Sequence, residues 1–121
     1  MGKQVYVMLS SPRLMPGHLL IIPKRHVEQL SELTLKERGE LFEITIEFQE
    51  KILGTIAAGC DLRQNFRPFQ KEDGIKVNHL HIHLLPRDLY DNLYQHCQIY
   101  EKEIFKTLSA GEAKEMTAKL C

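Results

Sequence analysis

Apolar and polar positions along this chain switch between a two-residue and a three-to-four-residue repeat, and those switches predict its elements. Val5-Tyr6-Val7-Met8-Leu9 reads as a short buried strand, and the stretch from Ser10 to Gly17 carries the Ser, Pro and Gly of a turn. His18-Leu19-Leu20-Ile21-Ile22 is apolar and partly β-branched, with Pro23 ending it, so the two runs predict an antiparallel hairpin with a long loop. Thr34-Leu35-Lys36-Glu37 is a capping-box pattern that opens a helix. Leu41, Ile44, Thr45, Phe48 and Ile52 recur at three- and four-residue steps, so this helix is expected to be amphipathic, core-facing and to end near Gly59. Gly39 and Gly54 weaken it by up to about 1 kcal/mol each relative to alanine, so packing must hold it.

Asp61 to Arg67 predicts a further strand, and Pro68 to Gly74 a polar loop. The run Asn78-His79-Leu80-His81-Ile82-His83-Leu84-Leu85 then alternates strictly, which predicts a strand ended by Pro86. Beyond it, Leu89, Leu93, Cys97, Tyr100, Ile104 and Leu108 follow a helical repeat, predicting a second amphipathic helix that buries Cys97. Ser109-Ala110-Gly111-Glu112 is another capping-box pattern, opening a short last helix with Met116 and Leu120 on one side. Strands, helix, strands and helix in this order predict an α+β fold with an antiparallel sheet and its helices on one face.

Composition narrows the class without changing this picture. The 121 residues, 43% hydrophobic and 26% charged, predict one domain over residues 1–121 with a real core. No apolar run is long enough to span a bilayer, and Met1 to Tyr6 lacks the regions of a signal peptide. Cys60, Cys97 and Cys121 are odd in number and far apart, which fits neither a disulfide framework nor paired-cysteine zinc spacing and predicts the cytoplasm. With 16 Lys and Arg against 16 Asp and Glu, a general attraction to nucleic acid or to an anionic membrane is not expected. An anionic ligand must be held locally. Lys24, Arg25, Arg63, Arg67, Lys71, Lys76 and Arg87 are the nearby basic residues.

The alternation places His79, His81 and His83 on one strand face, with Leu80, Ile82 and Leu84 on the other. Three polar rings on one face make little packing sense, which points to a site. Two chemistries suit them. Three imidazoles with an open position form a catalytic zinc arrangement. Alternatively, a central imidazole attacks an electrophile while its neighbours orient it and move a proton. Ligating rings are normally held from behind by carboxylates, and only Glu72, Asp73 and Asp88 lie close in sequence. Lys76, Arg87 and Arg67 favour an anionic substrate such as a phosphate ester and disfavour a divalent cation.

The run from His79 to Leu85 resembles the His-φ-His-φ-His-φ-φ signature of the histidine triad (HIT) superfamily of nucleotide hydrolases and transferases. Pro16-Gly17-His18-Leu19-Leu20-Ile21-Ile22-Pro23-Lys24-Arg25-His26 is similar to that family's second block. Leu84-Leu85-Pro86-Arg87 resembles its Fhit-like and dinucleoside-polyphosphate hydrolase branches. The resemblance implies an about five-stranded sheet, a homodimer, no metal and no cofactor. It implies His81 as nucleophile toward the α-phosphorus of a nucleotide, His83 on the phosphate and leaving group, and His79 and His18 in support. It places Ser10 where relatives carry a ribose-binding Asn or Asp. Where many members have Gly-Gln-Ser or Gly-Gln-Thr, this chain reads Gly74-Ile75-Lys76-Val77, so phosphate contacts are expected from Lys76 and from Gln64, Asn65 or Arg67. A nucleotide-binding or signalling member with reduced turnover is the rival that Ser10 and Ile75 suggest. A zinc-dependent hydrolase is a further alternative.

Overall fold

A computed structural model describes residues 3–73 and 76–121; Gly74 and Ile75, singled out above, lie outside the described residues. Strands β1 (Val5–Leu9) and β2 (Leu19–Pro23) form the predicted hairpin, in register from Val5 opposite Pro23 to Leu9 opposite Leu19. Gly17 in the connecting loop has φ 83°, and a Cβ there would lie 3.1 Å from Ile56 Cγ2 and 3.2 Å from Pro86 Cγ. Both the backbone and the packing therefore call for glycine.

Helix α1 (Leu35–Ile52) starts at the predicted capping box: Thr34 Oγ1 accepts from the Glu37 N–H, and the Glu37 carboxylate accepts from the Thr34 N–H. That carboxylate also accepts from Arg25 Nε at 3.1 Å and Nη2 at 2.8 Å, so the buried start of the helix is tied to the end of β2. The Arg25 guanidinium first, then the Thr34 amide, hold the Glu37 carboxyl at about 2. Leu41, Ile44, Thr45 and Ile52 are buried, as their spacing predicts. The helix ends at Ile52, short of Gly59. Gly54 adopts φ 81°, and the N–H groups of Thr55, Ile56 and Ala57 all turn back to the Ile52 carbonyl.

Strands β3 (Gly59–Arg63) and β4 (Ile82–Arg87) complete a fully antiparallel sheet of order β1-β2-β4-β3. Four strands are found among the described residues, where about five were expected. Residues beyond Arg63 find no ladder partner and turn at Pro68, with Gln70 N–H reaching the Arg67 carbonyl, so the strand expected over Asp61–Arg67 shifts to Gly59–Arg63. One face of the sheet packs on α1 through Val5, Ile21, Ile82 and Leu84 against Leu41, Ile44 and Ile52. The fold class is the α+β arrangement expected from the sequence.

The helix expected over Leu89–Leu108 does not form as one element. Helical backbone runs without a break only over residues 92–101, through a π-helical turn (Tyr94–Gln98) and the single turn α2 (Ile99–Glu101), and the chain is irregular from there to Ser109. Leu89, Tyr100, Ile104 and Leu108 are all exposed, and so is Cys97. Of that repeat only Leu93 is partly buried, so little packing supports the rest, and a helix without packing is marginal. Helix α3 (Ala110–Leu120) does form, with Ser109 Oγ accepting from the Glu112 N–H at 3.1 Å, but it buries no residue and leaves Met116 and Leu120 exposed. Among the described residues no helix is long and apolar enough to cross a membrane.

Candidate active site

The sheet face turned away from α1 carries His83, with His79 and His81 on the same side just before β4. Ladder partners in an antiparallel sheet point the same way, so Met8, Leu20, His83 and Arg63 form one row across all four strands. The strand expected to carry all three histidines begins only at Ile82. His79 and His81 precede it on chain anchored by the Leu80 N–H, which reaches the Val27 carbonyl at 2.7 Å instead of a ladder partner. The alternation nevertheless survives. Leu80, Ile82 and Leu84 are buried toward the core, while His79, His81 and His83 are half-buried on the other side.

Backbone partners dictate the tautomers. The His79 carbonyl can only accept, so His81 Nδ1, 2.7 Å away, carries a proton and donates it. In the neutral ring His81 Nε2 is then left with a free lone pair. The Leu14 N–H can only donate, so His18 Nδ1, at 3.1 Å, is an acceptor and His18 Nε2 holds the proton. His18 Nε2 lies 2.9 Å from His83 Nδ1 and donates to it, which leaves the proton of a neutral His83 on Nε2. One ring thus offers a lone pair and its neighbour an N–H, with ring centroids 4.7 Å apart. The His79 ring turns elsewhere: its Nε2 donates to the Pro23 carbonyl at 2.8 Å, and it meets His26 edge-on at 5.1 Å. The link from His79 to His81 runs through the main chain.

Burial, then the neighbouring His81, His18 and Arg63, push the His83 ring down to about 4. Burial, then Arg63 and His81, lower His18 as well. Both rings are therefore neutral at pH 7. Between the usual histidine value near 6.5 and about 4, the unfolded chain binds more protons than the folded one. The stability that neutral His83 contributes is complete above pH 6.5 and is lost as pH falls toward 4. Urea unfolding midpoints are expected to drop between pH 7 and pH 4.5, with a shallower drop in His83→Gln. Equal drops in the two proteins would contradict this cause.

Ser10 lines a cleft of about 570 Å³ on this face together with Tyr6, Met8, Leu20, Ile22 and the triad, and its hydroxyl donates to the Pro12 carbonyl at 2.8 Å. Asn65 and Lys76 line a smaller cleft of about 210 Å³ that shares Arg63, Val77, His81 and His83 with the first. The Lys76 ammonium donates to the Gln70 carbonyl and to Asn78 Oδ1, each at 2.6 Å. The structure also brings Arg63 into contact with both clefts, a position that only the β3–β4 register reveals. Among the described residues no group of three or more His, Cys, Asp or Glu side chains is arranged to hold a metal ion.

A family model for the HIT domain matches residues 2–89. The chain is 30% identical over 86 residues to the AP-4-A phosphorylase of Mycobacterium tuberculosis (strain CDC 1551 / Oshkosh), covering 71% of this chain and 44% of that protein. It is 32% identical over 81 residues to the asymmetrical bis(5'-nucleosyl)-tetraphosphatase of Schizosaccharomyces pombe, covering 64% and 42%. The chain thus spans less than half the length of these two relatives. The crystal structure of a HIT family member from Bacillus subtilis shares the fold, with a TM-score of 0.76 at 20% identity over 99% of this chain and 82% of that one. The chain belongs to the HIT domain family.

Proposed function

We propose that the chain hydrolyses a nucleotide at its α-phosphate through a covalent intermediate on His81. The observation that carries this reading is the pair of opposed tautomers: a free lone pair on His81 Nε2 beside an N–H on His83 Nε2. In the first step His81 Nε2 bonds to the α-phosphorus and the bond from phosphorus to the leaving oxygen or nitrogen breaks. The ring, substituted at Nε2 and protonated at Nδ1, is then cationic, and the hydrogen bond to the His79 carbonyl strengthens as that charge develops. His83 donates to the phosphoryl group and supports departure of the leaving group. Water then attacks phosphorus, the P–N bond breaks, and His81 recovers its lone pair.

His18 acts by fixing the His83 tautomer, and His79 by its carbonyl. Ser10 meets the nucleoside in the large cleft, and Asn65 and Lys76 meet phosphate in the smaller one. The names of the two relatives, a phosphorylase of AP-4-A and a bis(5'-nucleosyl)-tetraphosphatase, support a dinucleoside polyphosphate as substrate. Release of nucleoside monophosphate from diadenosine tetraphosphate or from adenosine phosphoramidate, followed by chromatography, tests the reading; no product from either would overturn it. The working form is a homodimer in the cytoplasm. Exposed Leu35, Phe42 and Ile46 on α1 supply apolar surface for a second copy, and three free cysteines suit a reducing compartment. Sedimentation reads the dimer directly.

A further inference from the structure

Among the described residues, two of the six arginines pair with carboxylates. Arg25 binds Glu37, and Arg87 binds both Asp61 and Asp91. Arg63 differs. It sits at the end of β3 opposite His83, and its Nε is buried with no hydrogen-bond partner among the described residues. Among the described residues no carboxylate pairs with it, and its charge acts instead on two histidines that cannot neutralise it. A guanidinium held beside a reaction centre without an anion lowers stability, and it is satisfied when an anion arrives.

The two clefts beside His81 differ in the chemistry they offer. The larger has apolar walls in Tyr6, Met8, Leu20 and Ile22, which suit a nucleoside, and it also touches Arg13 and Arg63. The smaller is lined by three cations, Arg63, Arg67 and Lys76, together with His81 and His83. With the α-phosphorus at His81 and the nucleoside in the apolar cleft, the cationic cleft remains for whatever departs. A polyphosphate fits its charge; a neutral amine does not. Of the three, Arg63 stands directly across the ladder from His83 with its Nε buried and unpartnered among the described residues, whereas the Lys76 ammonium already donates to two acceptors.

We propose that Arg63 binds the polyphosphate leaving group, and that this contact selects dinucleoside polyphosphates over nucleoside phosphoramidates. As the P–O bond breaks, its electron pair stays on the departing phosphate oxygen, and Arg63 stabilises the added negative charge. The inference rests on the reading of His81 as nucleophile, and it adds a side chain and a substrate preference that this reading does not require.

The test compares Arg63→Gln and Arg63→Lys with wild type on diadenosine tetraphosphate and on adenosine phosphoramidate. For Arg63→Gln, kcat/KM on the tetraphosphate is expected to fall about thirtyfold more than on the phosphoramidate, as the loss of a charge-assisted phosphate contact implies. Arg63→Lys restores part of that difference by keeping the charge. Equal losses on the two substrates would reduce Arg63 to a structural role and overturn the proposal. A second measurement needs no turnover: inorganic tripolyphosphate is titrated calorimetrically into His81→Ala and into His81→Ala/Arg63→Gln. About tenfold weaker binding in the double variant is expected, and unchanged affinity overturns the proposal. If wild type turns over neither nucleotide while Arg63→Gln still weakens tripolyphosphate binding in the His81→Ala background, the anion site stands and the nucleophile reading falls.

Discussion

His81→Ala is expected to lower the hydrolytic rate by at least about 10⁴-fold, the scale seen when a nucleophile is removed from a working constellation. No neighbouring ring can take its place. His83 Nδ1 is occupied by His18, and its Nε2 carries the proton. The His79 ring is committed to the Pro23 carbonyl and packs on His26. The substitution removes a half-buried side chain from the open face of the sheet and leaves the α1-facing core intact, so folding and nucleotide affinity are expected to persist. Calorimetric titration with a nucleoside monophosphate, alongside steady-state rates, checks both halves. A variant keeping a tenth of wild-type activity would mean that His81 is not the attacking group.

His83→Ala is expected to cost about 10²–10³ in rate, the range for losing one hydrogen-bond donor aimed at the transition state. The size should depend on the leaving group. A departing amine or phosphate needs the hydrogen bond more than p-nitrophenolate does, so the loss on a nucleotide p-nitrophenyl ester should be the smaller. Equal losses on both substrates would remove His83 from the departure step. The same substitution leaves the buried His18 Nε2–H without its acceptor, which costs roughly 1–3 kcal/mol of stability, so a lowered unfolding midpoint should accompany the rate loss.

Features set by neighbours in the chain were legible in the sequence. Thr34 and Glu37 announce the start of α1 because a capping box is a contact across three residues. The separation of the triad from Leu80, Ile82 and Leu84 follows from the geometry of extended backbone alone, and it holds even though the ladder begins at Ile82. Features set by distant partners were not legible. The repeat from Leu89 to Leu108 has helical spacing, but spacing does not reveal how much apolar surface stands opposite, and of these positions only Leu93 is even partly buried. The contact of His18 with His83 spans the β2–β4 pairing, and the place of Arg63 depends on the β3–β4 register. His79 was read by its side chain, whereas the atom that touches His81 is its carbonyl oxygen, which every residue type carries.

The central claim is that a nucleotide passes through a bond to His81, and the most direct measurement looks for that bond. Protein mixed with diadenosine tetraphosphate is quenched in alkali, where P–N bonds survive, then digested and weighed by mass spectrometry. The account predicts one nucleotidyl group on the peptide containing His81 in wild type and none in His81→Ala. Turnover with no adduct at any sampled time, or an adduct on another residue, would contradict it.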